Sequence, residues 1–450
     1  MIGAASRPSI ALVSSEPLRA VMAGIGIRYV EIARHLAREG LSVALVHPGP
    51  LADTPDAGPG VEPRLFRRGG LASVLGDCGA VVAQGQLAND VALELPSTPL
   101  AIDLYDPWLV ENLHYAESLG LDPYRNDLRS WVLQLARGDF FLCASEEQRD
   151  FYLGFLTALG RVNPQRLQLD PDLRRLIDVV PFGVPDELPP HRPWLEAAAP
   201  GDALLLFGGV YEWYDPWTLL EALDTLRDLR WRLVFARNPN AASTPQRLLG
   251  RVLQWTSDRG AAWRDRVDLV DWVPYERRFD LLRDVRLLVS THGDGLEMRL
   301  SLRTRFLDAM AAGCPVVTSE GGAVARLVRE SGAGWVVPRG DAAALARALR
   351  EALEAPDAAR ARGEAARNAA RSMSWSKVLA PLERFCRDPL GDPTREQFAW
   401  RPEAPIPEDG WRFRVRRGLR SLLAHRGRGR GGAAHGGGSG RRERRAGRAS

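Results

Sequence analysis

The chain has 450 residues, is 45% hydrophobic and 26% charged, and carries a formal net charge of +4; that is a globular composition on a chain too long for one ordinary core, and it suits two α/β domains plus further segments. No apolar run approaches the roughly 20 residues that span a bilayer, and Met1–Ile10 lacks the charged and apolar stretches of a signal peptide, so the expected location is cytoplasmic. Four scattered cysteines, Cys78, Cys143, Cys314 and Cys386, exclude a paired zinc-ligand spacing and a disulfide framework.

The charge is unevenly placed. From Gly410 to Ser450 there are thirteen Arg and one acid, Glu443, a charge of +12 that leaves −8 for the rest of the +4 chain. Lys377 is the sole lysine, so arginine must supply any cationic site.

In chain order, Ser9–Ser14 reads as a buried strand leading into Ala23-Gly24-Ile25-Gly26-Ile27-Arg28, then an amphipathic stretch with Ile27, Val30, Ala33 or Arg34, and Ala37 at helical spacing. Gly40 is a natural helix stop. Ser42–Val46, Ala80–Ala83, Leu100–Asp103, Asp139–Ala144 and Ile177–Val180 read as further strands. Strands alternating with helices argue for a parallel sheet covered on both faces. Pro185–Pro200, with five prolines, reads as a linker.

The second half restarts the pattern. Strands are expected at Ala203–Phe207, Arg232–Ala236, Val267–Val270, Arg286–Ser290, Pro315–Thr318 and Gly334–Val337. Helices are expected at Pro216–Asp228, Ser301–Ala312, Asp341–Glu354, Asp357–Ser372 and Trp375–Phe385. Two doubly wound domains with a ligand crevice between them follow from this order: 1–190, 200–374, a crossing helix at 375–387, and a basic tail at 388–450. Within the tail, Trp411–Ala424 fits a basic interfacial helix on an anionic membrane, and a disordered appendage is the alternative. No aromatic residues interleave the Gly/Arg run that follows, so specific nucleic-acid binding is not expected.

Three constellations carry chemistry. Gly24-x-Gly26 stands between a strand and a helix, where free amides form an anion site. Tyr29 occupies the third glycine position of a dinucleotide fingerprint and His47-Pro48 stands where an acid would be, so NAD binding is disfavoured; a purely structural turn is the alternative. Gly208-Gly209 forms a second strand-to-helix turn able to face a diphosphate, with Trp213 and Tyr214 beside it or merely packing its rim. Third is His292-Gly-Asp-Gly-Leu-Glu297-Met-Arg299-Leu-Ser301-Leu-Arg303-Thr304-Arg305-Phe-Leu-Asp308. Ser301 suits an N-cap, which puts Arg303, Thr304 and Arg305 in a first turn whose end is already positive. A bound diphosphate relieves that conflict; a surface ion-pair network with Glu297 is the alternative.

Together these segments resemble the family-4 glycosyltransferases of the GT-B fold, over about residues 9–386 and most closely in the second half. Asp308-Ala-Met-Ala-Ala-Gly313-Cys-Pro315-Val-Val-Thr318 is similar to the family's helix and following strand, and Gly334-Trp-Val-Val-Pro338-x-Gly340-Asp341 to its next strand and turn. Val273, within Asp271-Trp272-Val273-Pro274, sits where the family holds the donor's base. The resemblance implies that Asp308 hydrogen-bonds the donor ribose and that Glu297, with His292 nearby, contacts the donor sugar. The chain also departs from the family. Its usual pair is Glu, seven residues, Glu, whereas here Leu300 stands eight before Asp308 and Glu297 is the nearest acid. The Arg and Lys that usually follow the second glycine turn are absent; Arg299, Arg303 and Arg305 are available to supply that charge. The usual first-domain histidine has Ile102-Asp103 in its place, and Asp103 and Asp106 lie at a strand end facing the crevice, on the acceptor side.

The implied reaction is retaining transfer of a sugar from a nucleotide-sugar donor to a glycan or lipid-linked acceptor. Negative charge grows on the leaving phosphate, which preorganised amides and arginines stabilise. The catalytic candidates are Glu297, Arg303 and Asp103. No cofactor and no metal are expected, since the one Asp-x-Asp, Asp170-Pro171-Asp172, reads as a capping turn. A nucleotide-sugar epimerase of the same fold and a non-catalytic sugar-nucleotide or glycan binder are the rival readings.

Overall fold

A computed structural model describes residues 9–67, 69–115, 121–195, 201–238 and 246–398. The basic segment 411–424, the Gly/Arg run after it and the end of the proline-rich linker lie outside these residues. No helix among the described residues is long and apolar enough to cross a membrane.

The first half builds a sheet of β1 (Ser9–Val13), β2 (Val43–His47), β3 (Val61–Leu65), β4 (Cys78–Ala83), β5 (Leu100–Asp103), β6 (Phe140–Cys143) and β7 (Ile177–Val179), ordered β3-β2-β1-β4-β5-β6-β7. The second half builds β8 (Ala203–Gly208), β9 (Trp231–Ala236), β10 (Val267–Val270), β11 (Leu287–Ser290), β12 (Val316–Ser319) and β13 (Gly334–Val337), ordered β10-β9-β8-β11-β12-β13. Every pairing is parallel. Continuous apolar runs such as Ile10–Val13 and Leu287–Val289 are buried on both faces because helices cover both sides. β3, Val-Glu-Pro-Arg-Leu, has no such run and was not expected. It is a half-exposed edge strand, the position where Pro63 is tolerated because one side of the ladder is unpaired.

In both sheets the strand order reverses beside the first strand, between β1 and β4 and between β8 and β11. Loops diverge at such a point, and the carboxyl ends of the strands leave a crevice there. The helix Gly24–Arg38 follows β1. Its buried face is wider than the expected stripe and includes Tyr29, Ile32 and Leu36, because it lies between its own sheet and the Tyr275–Val285 region of the second half. Gly40, at φ +80°, ends it.

The chain returns to the first sheet near its end. Val184 pairs with Ser374, and Val184 N and Trp375 N donate to Met373 O and Val184 O, each at 2.9 Å. Trp375 packs so closely on Gly183 that a Cβ there would lie 2.4 Å from the indole. The expected single helix at 375–387 is two, Trp375–Val378 and Ala380–Arg387, and Phe385 stacks on Phe140 of β6 at 5.3 Å. The proline-rich segment is tied down as far as it is described. Asp284 accepts from Trp194 N at 2.6 Å and Leu195 N at 2.9 Å, and Arg277 lies over the Trp194 ring.

Candidate active site

The loops after β1, β4, β5, β8 and β11 surround a cleft of about 680 Å³. Its second-half wall is the segment after β11. A short helix, Leu296–Leu300, is followed by extended residues and then by the helix Thr304–Ala312, which Gly313 ends in the left-handed conformation. The expected helix from Ser301 is thus broken. Ser301 does not cap it, because its hydroxyl is donated back to Glu297 at 2.7 Å, and Arg303 holds the N-cap position with extended backbone. The N-cap side chain makes no capping bond, and the residues of this N-terminus, Arg303, Thr304 and Arg305, line the cleft.

Arg303 forms a two-pronged pair with Glu297, Nη2 lying 2.8 and 2.6 Å from the carboxylate oxygens. The pair is buried, with side-chain exposures of 9% and 2%, so the ion pair expected as an alternative exists but not on the surface. Arg305 donates to Phe207 O at 2.8 Å and Gly209 O at 3.0 Å, and so fixes the turn after β8. Both guanidinium groups lie over Tyr214, at 5.0 and 4.9 Å from its centroid. Burial holds the His292 imidazole well below its ordinary value, and the charges of Arg303 and Arg305 reinforce that effect.

Glu297, Ser301, Arg303, Thr304, Arg305 and Gly24 line the cleft together. Trp213, Tyr214 and Asp106 line it too, whereas the remaining sequence candidates do not. Asp103, expected as a catalytic acid, is locked in a buried pair with Arg28, Nε at 2.7 Å and Nη2 at 3.2 Å, and also accepts from Tyr105 N. Gly26 offers no free anion site, because the Glu16 carboxylate accepts from Ala23 N at 2.7 Å and Gly26 N at 2.9 Å and already fills that helix N-terminus. Gly208, at φ +79°, lies behind Arg305, and a Cβ there would meet Nη1 at 3.0 Å; Gly209 packs beneath Tyr211. His292 is buried beneath Tyr214 and pairs with Ser290 at 3.2 Å. Arg299 turns away into a separate cavity with Arg326 and Arg329. Val273 is half-buried against the core, and its neighbours Trp272 and Tyr275 hold the loop after β1 by hydrogen bonds to Met22 O and Ala20 O. Asp170 and Asp172 accept from Arg175, Leu176 and Arg174 amides, a local turn.

Asp308 also stands off the cleft, in the seam between the halves, with Arg278 Nε 3.6 Å from Oδ2. Its Oδ1 is buried with no hydrogen-bond partner among the described residues. Burial pushes this carboxyl from 3.8 up to about 6, against the opposing charge of Arg278. A group raised on folding stabilises the fold when protonated; that contribution is full below about pH 4 and is lost as pH rises through about 6. Asp308→Asn is therefore expected to flatten the stability loss across that window, read from denaturant midpoints at successive pH values. An unchanged slope would mean that the carboxylate is accommodated after all.

The structure adds residues that the sequence did not single out: Glu16, Gln84, Tyr105, Glu111 and Tyr211 line the cleft. Among the described residues no group of three or more His, Cys, Asp or Glu side chains is arranged to hold a metal ion.

Residues 202–355 match a family model described as glycosyl transferases group 1. No curated protein matches the sequence. Sucrose-phosphate synthase of Thermosynechococcus elongatus superposes with a TM-score of 0.62 at 16% identity, covering 85% of this chain and 98% of its own. HepE of Anabaena, solved with UDP-glucose, superposes at 0.57 and 12% identity over 84% of this chain and 98% of its own. WaaG, a glycosyltransferase involved in lipopolysaccharide biosynthesis, does so at 0.54 and 16% identity over 83% and 98%. Two parallel doubly wound sheets facing across a cleft, shared with these proteins over nearly their whole length, make this the GT-B fold, with a segment matching glycosyl transferases group 1 as its second half.

Proposed function

We propose that the protein is a glycosyltransferase that moves a sugar from a nucleotide-sugar donor to a glycan or lipid-linked acceptor, with retention and without a bound metal, as family-4 enzymes do. The observation that carries this reading is the N-terminus of helix Thr304–Ala312, whose N-cap side chain makes no capping bond and whose residues Arg303, Thr304 and Arg305 line the cleft. Helix amides and guanidinium groups together suit a diphosphate. They are most useful when the C1–O bond breaks and negative charge gathers on the leaving phosphate, because such donors need no reorganisation at that moment. Arginine charge here can take the part of a metal in neutralising the leaving group. The match of residues 202–355 to glycosyl transferases group 1 supports the same reading.

The test is a thermal-shift panel of UDP, GDP, dTDP and ADP, followed by release of the preferred diphosphate from its nucleotide sugars. A ligand at a hundred times its Kd stabilises the native state by about 2.7 kcal/mol, so one nucleotide is expected to raise the Tm clearly. If none does, the donor site is not where we place it. If one binds but no nucleotide sugar turns over with any acceptor, the protein is a binder and not an enzyme.

A further inference from the structure

The helix N-terminus accounts for one wall of the cleft. The facing wall carries groups that the donor leaves without a task. Asp106 and Glu111, from the loop and short helix after β5, both line the cleft, close enough for each carboxyl to shift the other. Burial pushes Asp106 up to about 6 and Glu111 well above its ordinary value, and the charge of Glu297 adds to both. Next to the pair in the chain, His114 and Tyr115 meet the Trp213 ring, at 6.2 Å and, edge-on, at 6.3 Å. Trp213 in turn lies on Tyr211, 5.1 Å between centroids and 13° from parallel, and both rings line the cleft. Segment 106–115 thus presents the carboxyl pair and buttresses an aromatic stack supplied by the other half of the protein.

We infer that this wall is the acceptor subsite and that it takes an uncharged sugar ring, whose C–H face lies on the Trp213–Tyr211 stack while its hydroxyls hydrogen-bond Asp106 and Glu111. The inference rests on the transferase reading and specifies its acceptor. Adjacent carboxyls supply several acceptors and, where one holds a proton, a donor, which matches hydroxyls, since these also do both. An aliphatic alcohol, with a single hydroxyl, can engage only part of the two carboxyls. A phosphate beside the pair meets a like charge.

The experiment uses the full chain saturated with UDP and a panel of methyl glycosides (glucoside, galactoside, mannoside and N-acetylglucosaminide), read by saturation-transfer NMR. Ring protons of at least one glycoside are expected to receive saturation. Its Kd is expected to rise about tenfold or more in Trp213→Ala and in Glu111→Gln, with UDP affinity unchanged as the check that each variant is folded. The proposal is overturned if no glycoside contacts the UDP-bound wild type, or if a folded Glu111→Gln binds the glycosides as the wild type does. Glycoside binding by a wild type that binds none of UDP, GDP, dTDP and ADP sinks the transferase reading and leaves the sugar wall standing, so the two failures are distinguishable.

Discussion

Arg303→Ala is expected to weaken nucleoside-diphosphate binding and lower turnover by about ten- to a hundredfold, the worth of one charge-assisted hydrogen bond of roughly 1.5–3 kcal/mol. The same change strands Glu297, whose side chain is 2% exposed, beside the Asp106–Glu111 pair. Breaking one side of a buried pair typically costs about 3–5 kcal/mol, so the variant is also expected to unfold at lower denaturant. A second substitution separates the two effects. Adding Glu297→Gln removes the stranded charge and should return part of the stability, but none of the nucleotide affinity. Arg303→Lys should rescue neither fully, since a compact, strongly hydrated ammonium lacks the planar guanidinium that lies over Tyr214 and its further donors. The measurements are calorimetric titration with the preferred diphosphate, steady-state turnover and denaturant midpoints. Unaltered binding and kinetics in both Arg303→Ala and Arg305→Ala would remove the phosphate assignment.

Asp392→Ala is expected to destabilise the protein by about 3–5 kcal/mol while leaving nucleotide affinity unchanged. Asp392 is fully buried between two arginines, 2.7 Å from Arg161 Nη2 and in contact with Arg166. It also accepts from Thr394 N at 2.8 Å. Arg161 keeps its bonds to the carbonyls of Leu135, Ala136 and Gly138, but without Asp392 its charge and that of Arg166 have lost their counterion. Burial alone would raise the Asp392 carboxyl; Arg161, the Thr394 amide and Arg166 outweigh it and hold the group below its ordinary value. Its contribution is therefore present at neutral pH and is lost as pH falls below the ordinary carboxylate range. Denaturant midpoints at pH 7 and at successive pH values taken below the ordinary carboxylate value of 3.8 check this. A loss as large at low pH as at neutral pH would assign the effect to packing instead.

The elements of the fold were legible because each depends on a few adjacent residues. Apolar runs such as Leu100–Ile102 and Leu287–Val289 announce doubly covered strands. Gly40 and Gly313 mark helix ends because glycine enters the left-handed conformation without strain. The restart of the strand–helix pattern after residue 200 announces a second sheet, and alternation alone implies a crevice at the strand ends. The convergence of Glu297, Arg303 and Arg305 was readable for the same reason, since they lie within nine residues of one another. Other features escaped local reading. β3 has too few apolar residues to show itself and is a strand only because β2 offers it an edge. Ser301 has the chemistry of a cap, yet it turns back to Glu297 four residues earlier. Asp103 looks like a free acid at a strand end until sheet order brings Arg28 of the first helix beside it, 75 positions away in the chain. Glu16 fills the helix N-terminus that the glycines seemed to leave open, and the Trp213 wall joins segments a hundred residues apart. Local propensity and periodicity, which act over a few residues, determined the strands, the helices and their alternation. The partner each buried charge finds, and hence which acids remain to face a substrate, depended on how the two sheets bring distant segments together, and only the tertiary structure decided it.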